Sequence, residues 1–190
     1  IFYLVKGERV FFINDRVYTV RQGDIIVINP NILHRTGSST NVQQCERILI
    51  NFKAGFLDSP EWLPNEDLFP SSHGFSLIHF SDEEQANIDQ IIWEMLNECK
   101  DQRLGYEDYV KSCLTRLLIR IRRQALQNGA EPSSFSHPMH EKISEIASFI
   151  KQNYPDEITL KQVAEQFYIS PYSLSRIFKK LTGFQFREYL

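Results

Sequence analysis

Cysteine is scarce in this sequence of 190 residues, which has only Cys45, Cys99 and Cys113. An odd and scattered set argues against a disulfide framework and fits a reducing compartment. Long hydrophobic runs are absent too, since no apolar stretch approaches the roughly 18 residues that a membrane-spanning helix needs. The chain shows no basic region followed by an apolar region and a cleavage site, as a secretory signal would. We therefore expect a cytoplasmic protein without a membrane segment.

An excess of basic charge is also missing, because 21 Lys and Arg face 24 Asp and Glu, for a net charge of −3. That balance alone argues against a nucleic-acid binder. The 42% of hydrophobic and 24% of charged residues are typical of globular proteins and exclude wholesale disorder. The charge is unevenly distributed, however. Within residues 170–190, Arg176, Lys179, Lys180 and Arg187 face Glu188 alone, which predicts two parts with different partners.

The first 52 residues are rich in short β-branched and aromatic runs separated by turn signals such as Asn14-Asp15 and Gly23-Asp24. Short strands with turns about every 8–12 residues are typical of a sandwich or a barrel. Residues 53–80 contain three prolines and are predicted to be irregular. The predicted strands are 9–13, 16–20, 25–28 and 43–52.

Two amphipathic helices are predicted next, and they should form an antiparallel hairpin around Gly105. Ser81 and Glu84 have the spacing of a capping box at the start of the first helix, and the second runs from about 106 to 126. The apolar spacing of the second helix fits a dimer seam and an intrachain core equally well. The residues proposed for that seam are Leu114, Leu117, Leu118 and Ile121.

The C-terminal third is predicted to be helical after a linker at 128–138 that is rich in Gly, Pro and Ser. A first helix should end at Tyr154-Pro155. Thr159 with Gln162 caps a second, short helix, and Ser170 followed by Pro171 caps a third that ends at Gly183. The core between these last two helices has helix-turn-helix spacing, with Val163, Ala164, Phe167, Ile169, Leu174 and Ile177. Tyr168 occupies the turn position that favours a left-handed conformation.

The exposed residues of the third helix indicate duplex DNA. Tyr172, Ser175 and Arg176 fall on one face near the end that a recognition helix inserts into the major groove. Arg176 could form a fork to guanine O6 and N7, and Tyr172 could pack on a thymine methyl group. Hydroxyls, ammonium groups and exposed N–H groups suit phosphates. The predicted phosphate contacts are Ser170, Ser173, Lys179, Lys180 and Thr159.

The segment at about 137–190 resembles the first half of an AraC/XylS-type DNA-binding domain. The resemblance rests on the caps, core and exposed residues of the helix-turn-helix, together with Phe178, Gly183, Phe186 and Tyr189. The resemblance implies two helix-turn-helix units that are joined by a long linker helix and read adjacent major grooves. Gln185 stands where the family often has Pro. The chain would end within the linker helix, and we expect it to be a fragment whose second unit follows Leu190.

The segment from Gly23 to His34, preceded by Gly7 after a strand, resembles the second motif of the cupin-type sensor domain of the same family. The resemblance implies a small barrel that binds an effector, followed by a helical hairpin that makes a homodimer. Aromatic walls with a few polar groups would suit a sugar or a small aromatic acid, although each ring could equally belong to the core. The candidate pocket residues are Tyr3, Phe12, Tyr18 and His34.

The predicted fold class is thus α+β, with a cupin-like barrel, a helical hairpin and an incomplete helix-turn-helix domain. The predicted domains are 1–80, 81–127, the linker 128–138 and 139–190. We expect a ligand-responsive transcriptional regulator without catalytic residues, metal or cofactor. A metal-dependent cupin enzyme with a helical tail is the main alternative, since cupin enzymes use a matching His together with a His-x-His motif that would precede Ile1. A scaffold with a purely structural helical hairpin is a third interpretation, which the basic face disfavours.

Overall fold

A computed structural model describes residues 1–30, 32–38, 44–57, 74–128, 138–153 and 158–190. The strands are β1 (Phe2–Lys6), β2 (Glu8–Ile13), β3 (Arg16–Arg21), β4 (Ile25–Ile28), β5 (His34–Ser38), β6 (Glu46–Leu49) and β7 (Phe75–Ile78). The helices are α1 (Asp82–Asp101), α2 (Tyr106–Asn128), α3 (Pro138–Asn153), α4 (Leu160–Gln166), α5 (Pro171–Thr182) and α6 (Phe186–Tyr189), with a 3-10 turn at Ala54–Leu57. The fold is therefore α+β, with antiparallel sheets first and helices last, as predicted.

The chain forms two compact units that do not follow the linear order of the predicted domains. Unit 1 comprises residues 1–5, 23–30 and 47–132, and unit 2 comprises residues 6–22, 31–46 and 133–190. Three of the N-terminal strands therefore belong to the same unit as the C-terminal helices. The predicted linker lies almost entirely outside the described residues.

Unit 1 is a four-stranded antiparallel sheet covered by the α1–α2 hairpin. Its strand order is β6-β1-β4-β7, and Ile25 of β4 pairs with Tyr3 of β1 and with Ile78 of β7. Apolar side chains from the sheet, the 3-10 turn and both helices form one core. No helix in the described parts of the chain has the length and apolar character needed to cross a membrane.

Two polar contacts tie chain segments together at the edge of this core. The hydroxyl of Tyr3, on β1, donates a hydrogen bond to the carboxylate of Asp89 on α1. Burial, and then this neighbouring carboxylate, raise the pKa of Tyr3 above its ordinary value. Nδ1 of His79 lies 2.6 Å from Oδ1 of the buried Asp24. Both contacts are long-range in sequence, so they fix segments that local patterns cannot place.

The residues proposed as a dimer seam lie inside the core of unit 1. The side chains are at most 1% exposed and pack against α1 and the sheet, which leaves them no surface for a second copy of the chain. The interpretation as intrachain core is the one that the structure supports. The residues concerned are Leu114, Leu117, Leu118 and Ile121.

Gly23 is held in a conformation and a space that exclude a side chain. Its φ is +87°, and a Cβ atom there would collide with the Gln85 side chain, whereas Gly105 has a φ of +81° and open space around it. We expect Gly105→Ala to lower the free energy of unfolding by about 1 kcal/mol and Gly23→Ala to lower it further, because both pay for the left-handed backbone but only one displaces Gln85. Urea denaturation of both variants measures the difference. Equal losses would show that Gln85 moves aside without cost.

Unit 2 consists of a three-stranded antiparallel sheet packed on α3, α4, α5 and α6. The strand order is β3-β2-β5, and Phe12 of β2 pairs with Val17 of β3 and Arg35 of β5. Val10 and Phe12 join the helical core, while Phe11 and Ile13 point to the other face of the sheet, because successive side chains of a strand alternate between its faces. One hydrophobic core therefore joins this sheet to the helix-turn-helix.

Several strand predictions need correction. The predicted strand at 43–52 is reduced to β6 at Glu46–Leu49 among the described residues. Residues 53–80, predicted to be irregular, contain a 3-10 turn and the strand β7, which pairs with β4 over four residues. The strand β5, at His34–Ser38, was not predicted. The strands predicted around 9–13, 16–20 and 25–28 are confirmed within one residue at each end.

Candidate nucleic-acid interface

α5 is fixed at both ends by its own sequence. The Ser170 side chain accepts a hydrogen bond from the backbone N–H of Ser173, and Pro171 is the first helical residue. Gly183 ends the helix with a φ of 78° and donates its N–H to the carbonyl of Lys179. The predicted caps are therefore confirmed, and they determine which side chains leave the helix on each face.

The inner face of α5 is fully packed. Phe178 is completely buried, and its ring centroid lies 5.9 Å from that of Phe186 and 5.2 Å from that of Tyr189, in edge-to-face geometry. Leu174 packs with Val163 and Ala164 of α4 in the same core. The predicted helix-turn-helix core is confirmed, since Phe167, Ile169 and Ile177 also pack against it.

The turn between α4 and α5 has the predicted left-handed residue. Tyr168 has a φ of 52°, and the N–H of the next residue, Ile169, bonds to the carbonyl of Ala164 at 2.9 Å. The Tyr168 side chain is 94% exposed, so it contributes few contacts that could offset the backbone strain.

Replacing Tyr168 by glycine is therefore expected to raise the free energy of unfolding by about 0.5–1 kcal/mol, because glycine adopts this conformation without steric cost. Chemical denaturation measures the change. Tyr172→Gly is the matched control, since the same replacement at an exposed position inside α5 should destabilise the protein. A loss of stability in Tyr168→Gly would refute this explanation of the turn.

The outer face of α5 presents the predicted base-contacting residues together. Tyr172 is 76% exposed, Arg176 is exposed and Ser175 is partly exposed, on the N-terminal half of the helix. Lys179 and Lys180 are exposed one turn further on. Arg176, Lys179 and Lys180 form no ion pair within the described part of the chain. These cationic groups are thus available to an external anion.

The hydroxyl groups predicted to contact phosphates have partners inside the protein. The Ser170 hydroxyl donates to Oγ of Ser173 at 2.8 Å, which leaves the Ser173 proton free to turn outward. Thr159 forms a complete capping box with Gln162, and both its N–H and its hydroxyl donate to the Gln162 amide oxygen at 2.8 and 2.7 Å. A phosphate contact from Thr159 would therefore have to break this box, and Ser173 is the better donor.

The sheet of unit 2 holds the helices through contacts that sequence patterns did not single out. The backbone N–H of Val17 donates to Oγ of Ser144 on α3 at 2.9 Å. Asp15, at the tip of the β2–β3 hairpin, receives Nζ of Lys151 at 2.8 Å and the hydroxyl of Tyr189 at 3.1 Å. Burial, and then Asp15, raise the pKa of Tyr189. The only sequence signal was the Asn14-Asp15 turn itself, which gives no partner for its side chain.

Arg35 of β5 completes this packing. Its guanidinium carbon lies 4.9 Å from the centroid of the Phe184 ring, and its side chain fills the space beside Gly183 where a Cβ atom would otherwise lie. The C-terminal end of α5 is therefore attached to the sheet, while the N-terminal half with Tyr172 and Arg176 stays exposed.

The residues proposed for the effector pocket do not share one wall. Phe12 pairs with Val17 and packs against Phe184 and Tyr189, whereas Tyr18 pairs with Phe11. Directly paired residues point to the same face of a sheet, so Phe12 and Tyr18 point to opposite faces and cannot line one cavity. The register between β2 and β3, which the sequence left open, decides this.

The other two pocket candidates also have local roles. Tyr3 is buried and bonded to Asp89 in unit 1. His34 is exposed, and its Nδ1 lies 2.8 Å from the carbonyl oxygen of Ile32. Across the described ranges, no group of three His, Cys, Asp or Glu side chains is arranged to hold a metal ion.

Comparison with protein families identifies both ends of the chain. The model of the AraC-like ligand binding domain matches residues 1–118, and that of the bacterial regulatory helix-turn-helix proteins of the AraC family matches residues 150–190. The first match covers all seven strands, α1 and part of α2, and the second covers α4, α5 and α6.

Relatives among curated proteins are transcriptional regulators. The HTH-type transcriptional regulator YfiF of Bacillus subtilis is 26% identical over 197 residues, which cover 99% of this chain and 59% of YfiF. The HTH-type transcriptional regulator YijO of Escherichia coli is 26% identical over 154 residues, which cover 72% of this chain and 53% of YijO. The chain thus spans somewhat more than half the length of these relatives.

One similar solved structure is ligand-free ToxT K231A from Vibrio cholerae. Its TM-score is 0.47 at 13% sequence identity, and the match covers 99% of this chain and 68% of ToxT. ToxT bound to (E)-4-(8-methylnaphthalen-1-yl)but-3-enoic acid has a TM-score of 0.39 at 13% identity, and the match covers 99% of this chain and 88% of ToxT.

The family models and the packed, capped helix-turn-helix agree on one assignment. The chain belongs to the AraC family, with an AraC-like ligand-binding domain followed by an AraC-family helix-turn-helix.

Proposed function

We propose that this chain is the sensing and first DNA-reading part of an effector-responsive transcriptional regulator that binds duplex DNA in the major groove. The observation that carries the proposal is the outer face of α5. Its cationic groups have no ion-pair partner among the described residues, while Leu174, Phe178 and Leu181 of its inner face are buried in the core. A helix that only closed a bundle would have no need of such a face.

The reading chemistry follows from the side chains on that face. Arg176 carries the planar fork that bonds both acceptors of a guanine edge, with Tyr172 and Ser175 beside it on neighbouring bases. Lys179 and Lys180, with the capped N-terminus at Ser170 and Ser173, bind the phosphates that set the register of the helix on the duplex. Thr159 has a smaller role, because its donors are used in its own capping box.

Regulation would pass through the sheet of unit 2. Strands β2, β3 and β5 fall within the residues matched by the ligand-binding model, and the same strands hold α3, α5 and α6 through Ser144, Asp15 and Arg35. An effector that favours one arrangement of these strands would thereby change which arrangement of α5 is populated. The effector is a small molecule.

We expect a homodimer in the cytoplasm, acting without catalysis of its own. Because the apolar stripe of α2 is buried, association would use exposed side chains of the hairpin, of which Trp93 and Tyr109 are the exposed aromatic ones among the described residues. Sedimentation equilibrium of wild type and Trp93→Ala checks this assembly.

The proposed function is tested by measuring the affinity of the chain for a mixed-sequence duplex between 50 and 200 mM salt (about the range in which counterion release is measured). The expected plot of log K against log salt has a slope of about −0.9 for each phosphate contacted. Lys179→Ala should make the slope shallower by about 0.9, and Lys100→Ala, an exposed lysine on α1, should leave it unchanged. No binding at low salt, or equal slopes for all three proteins, would refute the proposal.

A further inference from the structure

A large apolar pocket lies within unit 1, and none of the residues proposed for the effector lines it. It has a volume of about 980 Å³, and its walls come from β6 with the segment after it, from α1 and from α2. We infer that this pocket binds the hydrocarbon chain of a small organic acid. That the bound acid is the effector rests on the proposed function.

The floor of the pocket is hydrophobic and buried. Ile92 and Met95 of α1 and Val110 and Leu114 of α2 are buried members of the unit 1 core and also line the pocket. Ile48, Ile50 and Phe52, which also line the pocket, are partly buried against the same core. Such a surface offers a ligand no hydrogen-bond partners along its length, so a ligand that fits it must be an apolar chain or ring.

Among the described lining residues, the charge at the pocket is of one sign. Lys53 is the only charged residue among the described residues that line it, and no carboxylate is among them. Asn51 and the backbone of the segment at 49–53 supply the other polar groups. A second ammonium group stands nearby, because Nζ of Lys111 lies 5.8 Å from the centroid of the Phe56 ring, and Phe56 lines the pocket. An anionic head group is therefore the complement of this rim.

The shape favours a small molecule over a second copy of the chain. Sites for drug-sized ligands enclose roughly 300–1,000 Å³ and are mostly apolar with a few placed polar groups, and this pocket has both properties. Residues of β6 and the segment after it, of the 3-10 turn, of α1 and of α2 line this one pocket, whereas a subunit interface of useful size extends over a broader surface. We therefore assign a straight-chain carboxylic acid as occupant.

The first experiment measures binding of octanoate, decanoate and dodecanoate to the full chain by calorimetry, below their critical micelle concentrations. Burial of each added methylene should tighten binding about three- to fourfold. Dodecanol should bind more weakly than dodecanoate.

Lys53→Glu should weaken the binding of dodecanoate roughly three- to tenfold and remove its higher affinity relative to dodecanol, whereas Lys100→Glu should change neither. Leu96→Trp, which fills the pocket, should weaken binding at least about tenfold, and Leu104→Trp, at a fully exposed leucine, should not.

The second experiment locates the ligand. Cys99 is exposed and lines the pocket, whereas Cys45 belongs to unit 2 and Cys113 is buried. Dodecanoate should slow the alkylation of Cys99 by iodoacetamide and leave the alkylation of Cys45 unchanged, as peptide mass spectrometry would show.

Binding that lacks the chain-length dependence, or that leaves Cys99 unprotected, would overturn the assignment. An absence of dodecanoate binding would also overturn it. If Leu96→Trp changed the sedimentation of the chain but kept dodecanoate binding, the pocket would be a subunit interface, and the assignment would be wrong. Salt-dependent duplex binding by wild type that persists in any of these cases would leave the proposed function standing, so the two failures can be told apart.

Discussion

Replacement of Phe178 by alanine is expected to lower the free energy of unfolding of unit 2 by about 3–5 kcal/mol. The ring is fully buried, and it joins α5 to the aromatic pair Phe186 and Tyr189 of α6. Its removal loses the free energy gained by burying the ring and loses two edge-to-face contacts. It also leaves a cavity that the surrounding helices cannot close. We expect this to be the largest effect of any single truncation in the helix-turn-helix.

The measurement is native-state hydrogen exchange of the α3 and α5 amides, because this reports on unit 2 by itself. Tyr168→Ala is the matched control. It also removes an aromatic ring from the helix-turn-helix, but the ring is almost entirely exposed, so protection should change by less than about 1 kcal/mol. Equal losses of protection in the two variants would mean that Phe178 is not the centre of this core.

Replacement of Arg176 by alanine is expected to weaken binding to the preferred duplex by about 1–3 kcal/mol, or roughly 5- to 150-fold. Arg176 lies on the exposed N-terminal half of α5 and has no ion-pair partner in the described part of the chain, so its truncation should leave the fold intact. The duplex is obtained by selecting from a random-sequence library with the wild-type chain, and fluorescence anisotropy measures the affinities.

Arg176→Lys separates charge from recognition. Lysine keeps the positive charge but loses the planar fork, so it should retain affinity for mixed-sequence DNA and lose most of the preference for the selected duplex. Lys100→Ala should match the wild type on both duplexes. An Arg176→Ala chain that keeps the wild-type preference would remove Arg176 from the reading face.

Local chemistry made the helices predictable. Ser170, Thr159 and Gly183 act within four residues of themselves, so their cap geometry could be inferred from spacing alone, and the structure has all three caps. Tyr168 is similar, since a turn of this length needs one left-handed residue whatever the surroundings. The outer face of α5 followed from the same helical period.

Strand pairing was not predictable in the same way. β5, with the sequence HRTGS, has no apolar alternation, because it pairs with β2 at the edge of its sheet. β7 is only four residues long and follows a proline-rich stretch. Both strands are defined by a partner far away in the sequence, and no local pattern encodes that partner.

The site predictions failed where they depended on the same long-range register. Phe12 and Tyr18 are both aromatic strand residues, but the pairing of β2 with β3 turns them to opposite faces. The stripe of α2 is apolar because α1 and the sheet cover it, and helical period cannot distinguish that cover from a second subunit. The contacts of Asp15 with Lys151 and Tyr189 span more than 130 residues, which places them beyond any motif.

The central claim is that the outer face of α5 lies against base edges in the major groove. Methylation interference at guanine N7 tests it most directly, because that atom is exposed in the major groove and would accept a hydrogen bond from Arg176. We predict that methylation of one guanine in the selected duplex strongly reduces binding of the wild-type chain and has little effect on Arg176→Ala. Equal sensitivity of both proteins at every guanine, or no sensitivity in either, would contradict the claim.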